Sequence, residues 1–408
     1  MIELFVSVII MLIAARIFGE IFQRLKQPAL VGELLAGIII GPSLFNIVQT
    51  SDSLKVLTNL AVFFLMFLAG LELHPQEIRK AGKGAAIVSV AAFVIPFVSG
   101  YIVSDYLGFS TVTSLFVGLT LAITAVPVNA IVLMEFGMLK SKIGTTVLTA
   151  GVINDILSLI VLGIIIQMSA SGGQELDYGQ IGVSIFTIVI FLSEIALLAF
   201  IFGQVSHRLR DRVSPHFRKL RGREAAFGIM FIAAIGLSVL AQYVGLHFVI
   251  GAFFAGLIIY REVIGKENFE RVSTVFSAIT FGLFAPLFFV FIGLEINAQS
   301  VAGSIPLLII ILGVAISGKI AGGLIGAKIA GFSGAEGRTI SYLMNSRGMV
   351  ELVIATVGLE LGILNLTLFS IVVVVGFITT IMSPVMARRS LRGLKDSDTF
   401  EKTSPKII

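Results

Sequence analysis

The chain has 408 residues, 57% of them hydrophobic and 13% charged, with a mean hydropathy of +1.04. A soluble domain cannot cover that much apolar surface, so the composition excludes one and points to an all-α, polytopic membrane protein. The net charge of +5 calls for no nucleic-acid partner once its distribution is seen, and the lack of cysteine excludes disulfides and thiolate metal sites.

The apolar runs are long and continuous, not short and alternating, which excludes a β-barrel. They divide into about thirteen spans, near 1–22, 28–46, 54–74, 84–106, 111–137, 142–168, 181–207, 224–243, 246–260, 272–295, 304–331, 336–361 and 367–390. The opening Met1-Ile2-Glu3-Leu4 lacks the basic region of a cleaved signal peptide, so it begins the first span. The ninth span is short and glycine-rich, and is expected to tilt, kink or sit inside the bundle. With the N-terminus outside, every Lys and Arg except Lys55, Lys319 and Arg347 falls on the inside, the C-terminal tail included. A wrong span count would scramble that alternation. The basic run 208–223 reads as an inside loop that anchors topology; a lipid-binding patch is the alternative. His74, His207, His216 and His247 have no metal-ligand spacing.

Two pairs of segments match. Phe64-Leu-Met-Phe-Leu-Ala-Gly-Leu-Glu72 resembles Phe288-Phe-Val-Phe-Ile-Gly-Leu-Glu295, with Gly70 and Gly293 aligned at an offset of 223. Val31-Gly-Glu-Leu-Leu-Ala-Gly-Ile-Ile-Ile40 resembles Ile250-Gly-Ala-Phe-Phe-Ala-Gly-Leu-Ile-Ile259 at an offset of 219. The paired segments lie seven spans apart, so the two copies cross in opposite directions. The expected plan is a first six-helix repeat (1–180), a linker span with a basic loop (181–223), a second, inverted six-helix repeat (224–390) and a tail (391–408). Secondary transporters are built this way, with the substrate site near the midplane. The offset of 223 carries Thr124 onto Arg347. Pro127 is expected to kink or unwind one span, and Gly348 to break its equivalent. The half-helix ends would offer carbonyls to a cation.

Asp155, Glu194, Lys319, Arg347 and Glu351 lie well inside spans. An ionisable group at that depth is expensive, and usually marks an ion or proton pathway. Asp155 follows Asn154, so a carboxylate and an amide oxygen sit side by side. With Thr124 and carbonyls near Ala125 and Val126 they form an oxygen set suited to Na⁺. Burial penalises the charged carboxylate, which then takes either a proton or a cation but not both. Competition of that kind is sufficient for exchange. Lys319 is the expected counter-charge to the Asn154–Asp155 region, whether as a partner released by the cation or as a fixed tether. Arg347 and Glu351 are four residues apart and are expected to pair with each other. Glu194, on the linker span, fits a packing or subunit-interface role. Glu72 and Glu295 lie near span ends, where they would cap or position helices. A cation channel is the competing class, but the chain has no Thr-Val-Gly-Tyr-Gly-like filter. An aspartyl enzyme would need a second facing carboxylate, and Glu194 is poorly placed for it.

At Gly32-Glu33, Ala36-Gly37, Gly41-Pro42, Gly70-Leu71-Glu72, Thr124-Ala125-Val126, Asn154-Asp155, Lys319 and Arg347-Gly348, the chain resembles the monovalent cation:proton antiporter superfamily. The likeness runs from about Pro28 to Pro384. Lys319 and the general pattern are similar to the branch of bacterial sodium/proton antiporters and Kef-type potassium/proton transporters. Electrogenic members of that branch usually show Asp-Asp where this chain has Asn154-Asp155. Electroneutral exchangers show Asn-Asp, typically with a glutamate one turn earlier, where this chain has Ala150, and with an arginine in place of the lysine. The resemblance implies crossed broken helices in a mobile core, a homodimer, and elevator-like transport that exposes Asp155 to each side in turn. It implies Na⁺ or Li⁺ for H⁺ exchange at Asp155, with K⁺/H⁺ exchange of Kef type as the alternative. No cofactor is expected beyond the transported ions, and no partner beyond membrane lipid and a second copy. The expected location is a prokaryotic plasma membrane, with the C-terminus cytoplasmic.

Overall fold

The computed structural model describes residues 2–72, 82–170, 225–243, 246–258 and 266–395. Every regular element among them is helical. The hydrocarbon interior offers no water to backbone N–H and C=O groups, so a chain crossing it closes those bonds within helices. The first helix shows what surrounds the protein. On α1 (Ile2–Arg24), Ile9, Ile13, Ile17 and Ile21 recur at every fourth position and are 44–55% exposed, while Met11, Ala14, Ala15 and Gly19 are buried. A long exposed isoleucine stripe is costly in water and indifferent to lipid. Eight segments among the described residues are long and apolar enough to cross a bilayer. Each span expected from the sequence has its helix or broken helix except the seventh. That span, with Glu194, the basic run 208–223 and residues 396–408, lies outside the described residues.

The chain divides into two compact units. One comprises Met1–Thr50, Gln76–Leu162 and Phe289–Ile408. In it α2 (Ala29–Ile40) crosses the later part of α11 (Ala285–Glu295) where two glycines meet. A Cβ on Gly37 would lie 2.0 Å from the Val290 carbonyl oxygen, and one on Gly293 2.3 Å from that of Leu34. α4 (Gly82–Tyr106) packs along α13 (Ile305–Ile329) through a stripe of glycines on α13, at Gly318, Gly322 and Gly326. A Cβ at those positions would come within 3.0 Å of Pro96, Ala91 and Val88 respectively. Small residues at every fourth position let helix backbones approach closely. This approach brings Lys319, beside Gly318, into the interior.

The other unit comprises Ser51–Pro75 and Gly163–Phe288. α3 (Asp52–Glu72) packs against α9 (Phe248–Ile258) at a second glycine pair. A Cβ on Gly70 would lie 2.0 Å from the Phe253 carbonyl oxygen, and one on Gly256 2.1 Å from that of Phe67. Phenylalanines from α3, α8 (Ala225–Tyr243) and α10 (Lys266–Ile279) fill this unit. Phe67 and Phe276 have ring centroids 4.5 Å apart, and Phe227 and Phe276 4.6 Å. A π-helical turn, Thr280–Phe284, joins α10 to α11, and Phe64 stacks on its Phe284 at 4.5 Å. Pro286, two residues beyond the turn, has no N–H for the ladder, the kind of defect that a π-turn absorbs. The ninth expected span is α9, whose 11 residues rise only about 17 Å, well short of a bilayer core. Its sequence match, α2, is similarly short at 12 residues.

Candidate ion-binding site

The site forms in the first unit, where two helices stop in mid-course. α5 (Thr111–Ala122) ends, residues 123–125 are non-helical, and α6 (Val126–Glu135) begins with Pro127 in its first turn. Proline there has no intrahelical N–H to lose, and its fixed φ suits a helix start. The expected kink or unwinding is therefore a full interruption, with Pro127 opening the second half. α14 (Gly334–Met344) opens on a capping box between Ser333 and Glu336. It ends before 345–348, and α15 (Met349–Glu360) starts after Gly348.

The two interruptions touch. Ala125 N donates to Ser346 O at 2.9 Å, and Thr124 Oγ1 to Met344 O at 3.1 Å. Ser346 Oγ lies 3.2 Å from Ala125 O and 2.8 Å from Asn129 Oδ1, both acceptors. A Cβ on Gly348 would sit 2.7 Å from Ala125 Cβ. Glycine at 348 thus allows the crossing by its lack of a side chain; its φ of −169° is extended backbone open to any residue.

A helix end leaves its last carbonyls without intrahelical donors and carries a partial negative charge. At α5 both needs are met by side chains from elsewhere. Arg347 Nη1 donates to Thr120 O at 2.6 Å and Nη2 to Leu121 O at 2.9 Å. Nη1 also reaches Glu351 Oε1 at 3.1 Å, so the expected Arg347–Glu351 pair forms, wholly buried. Lys319 Nζ donates to Ala122 O, to Thr124 Oγ1 at 2.6 Å and to Ala92 O at 3.0 Å. Ala92 O is available because Pro96, four residues on, interrupts the hydrogen-bond ladder of α4. These three contacts use all three ammonium protons.

α7 (Lys142–Ala170) brings the carboxylate. Gly151 lies one turn before Asp155, and a Cβ on it would come 2.5 Å from Val126 Cγ2, so this face of α7 packs against the start of α6. Asn154 is fully buried and Asp155 is 6% exposed. Asn154 Nδ2 donates to Thr124 Oγ1 at 3.4 Å, and Ser158 Oγ donates back to Asn154 O at 2.8 Å. The charges of Arg347, Glu351 and Asp155 all act on Lys319.

Of the residues singled out by sequence, the fold links Thr124, Asn154 and Lys319 directly, and Arg347 with Glu351. Lys319 reaches the Asn154–Asp155 region through Thr124. The Thr124 hydroxyl accepts from Lys319 and Asn154 and donates to Met344 O, so all its hydrogen-bonding capacity is in use. A cation coordinated there must displace one of these contacts. Glu72 and Glu295 end α3 and α11. Pro96, Asn129 and Asn345 belong to the same constellation but were not visible from the sequence; a proline four residues beyond a carbonyl, and amides flanking a helix break, are the signals that would have marked them. At its far end α6 is held by Arg388, whose Nε and Nη2 donate to Glu135 at 2.9 and 3.0 Å.

Crossed broken helices, cations on the end of one of them and a buried carboxylate alongside define a membrane carrier of the inverted-repeat class. The model of the sodium/hydrogen exchanger transmembrane family matches residues 8–392, and the chain belongs to that family. It is 30% identical over 394 residues to the Na(+)/H(+)-K(+) antiporter GerN of Bacillus cereus, covering 97% of each chain. It is 28% identical to the Na(+)/H(+) antiporter of Enterococcus hirae, covering 93% of this chain and 96% of that one. Its fold matches the solved structure of the sodium proton antiporter MjNhaP1 from Methanocaldococcus jannaschii at pH 8, with a TM-score of 0.71 and 18% identity over 95% of this chain and 97% of that one. This is an integral membrane protein of a transporter family.

Proposed function

We propose that the chain exchanges Na⁺ or Li⁺ for H⁺ across a prokaryotic plasma membrane by alternating access at Asp155. The observation that carries this reading is the placement of Asp155. It is a nearly buried carboxylate beside Asn154, on the α7 face that packs against the first helix break. Family membership and relatives named for Na(+)/H(+) exchange support it. A single carboxylate carries one proton or one monovalent cation, so the loaded carrier has the same charge either way. The three acceptors around Lys319 Nζ support a charged lysine in this conformation. Exchange is then 1:1 and electroneutral. Asn154 and Thr124 complete the ion site, Thr124 by giving up one of its present partners. Lys319 and the Arg347–Glu351 pair compensate charge at the helix ends. The functional unit is a homodimer working by an elevator motion, with its N-terminus outside and its C-terminus cytoplasmic. The repeats are 1–180 and 224–390, joined through 181–223 and followed by a tail at 391–408. K⁺ is the second candidate substrate, favoured by the name of the GerN relative.

Proton flux from proteoliposomes on addition of Na⁺, Li⁺ or K⁺ tests this. Wild type is expected to respond to Na⁺ and Li⁺, and Asp155→Asn to be silent. A response to K⁺ alone moves the substrate and keeps the site. An Asp155→Asn variant that exchanges like wild type removes Asp155 from the mechanism. Exchange that follows an imposed membrane potential sinks the electroneutral stoichiometry.

A further inference from the structure

Several buried polar atoms at the crossing have no hydrogen-bond partner: Asn129 Nδ2, both Nδ2 and Oδ1 of Asn345, Arg347 Nε and Glu351 Oε2. Asn345 is 0% exposed and Asn129 1%. All belong to the 345–351 segment or to the first turn of α6, where Asn129 Oδ1 takes the Ser346 hydroxyl. Native chains seldom leave such groups dry, and a cluster of them implies a ligand that the side chains themselves do not supply. A cation would satisfy the free oxygens but face the N–H groups, Lys319 and Arg347. An anion would satisfy the N–H groups but face Glu351 and the Asn345 oxygen. Water both donates and accepts.

We propose that ordered water occupies the second helix break at Asn345, forming a hydrated station beside the ion site. Val132, Leu133, Ile340 and Leu343 belong to one buried apolar cluster, and its member Met344 directly precedes Asn345. Thr124 lies between the two breaks: it donates to the carbonyl of Met344, the residue before Asn345, and accepts from Asn154, the residue before Asp155. Water held at the station accepts from the Asn129, Asn345 and Arg347 N–H groups and donates to the Asn345 and Glu351 oxygens. This water is set by the geometry of the crossing and is the same whether Na⁺ or K⁺ is exchanged.

Brief X-ray radiolysis of the reconstituted protein tests it, because hydroxyl radicals form from bound water and oxidise the nearest side chains. Met344 is 0% exposed, and Met11, 1% exposed among apolar residues of α1, is the dry control. Met344 is expected to be oxidised and Met11 spared. Asn345→Leu is expected to lose the Met344 label and to slow cation-driven proton flux about tenfold, roughly one hydrogen bond's worth. An unlabelled Met344 in wild type overturns the proposal, as does labelling of Met11 to the same extent. So does an Asn345→Leu variant exchanging at the wild-type rate. Should that variant fail to fold, the wild-type label decides alone. Met344 can stay dark while Asp155→Asn still abolishes exchange, so failure here is separate from failure of the antiporter reading.

Discussion

The two helix breaks occupy equivalent places in the two halves of the chain, yet they are stabilised by different chemistry. At the first, the end of α5 is held by full charges: Arg347 on Thr120 O and Leu121 O, and Lys319 on Ala122 O. At the second, the end of α14 is held by neutral hydroxyls, with Thr124 on Met344 O and Ser346 on Leu343 O. The backbone symmetry of an inverted repeat is thus kept while the electrostatics are not. Both cations sit on the first break, and Lys319 shares Thr124 with Asn154 of α7. A negative helix end left bare would compete with Asp155 for the incoming cation. In the proposed mechanism, covering it with Lys319 and Arg347 leaves Asp155 as the preferred anionic target.

Removing a charge from the first break is the strongest way to test this contrast. Arg347→Ala leaves Glu351 buried without its partner and strips two carbonyls, and is expected to cost about 3–5 kcal/mol. The measurement is thermal unfolding of the purified protein in detergent; a loss below about 1 kcal/mol would mean that the first break does not depend on charge. Thr124→Val is next. It removes a hydroxyl that accepts from the Lys319 ammonium at the first break and donates to Met344 O at the second, and the charged contact sets the expected cost at about 1.5–3 kcal/mol. Ser346→Ala removes a hydroxyl from the second break with only neutral partners, and is expected to cost about 1 kcal/mol in the same assay. If Ser346→Ala proves as damaging as Thr124→Val, the division into a charged and a neutral break fails.

Much of this was legible in the sequence because it rests on local rules. Apolar runs placed the helices, and the match between Gly70 and Gly293 carried Thr124 onto Arg347, thereby locating both breaks. The Arg347–Glu351 pair follows from helical spacing. Asp155 was conspicuous as an acid within an apolar run. What the sequence did not show depends on which backbones approach closely. Lys319 was expected to face the Asn154–Asp155 region, and it arrives there by way of Thr124 and two backbone carbonyls. One of those, Ala92 O, is available only because Pro96 interrupts α4, and it is within reach only because glycines on α13 bring that helix close. Each signal is present in the sequence, but nothing local says that they belong together. Asn345 was obscure for a related reason: an amide beside a break looks like an ordinary cap until its surroundings are known.

The two glycine crossings bear on how the protein is made. The glycine face of α2 closes against α11 and that of α3 against α9, so helices from the first half of the chain rest on helices from the second. A ribosome adding about 5–20 residues per second needs more than ten seconds to pass from Gly37 to Gly293. For much of that interval Gly37 waits in the bilayer with Gly293 unmade, and Gly70 waits likewise until Gly256 is made. Lipid has to occupy both surfaces until the second half arrives, and the apolar character that lets each helix insert alone also keeps it soluble in the membrane while it waits.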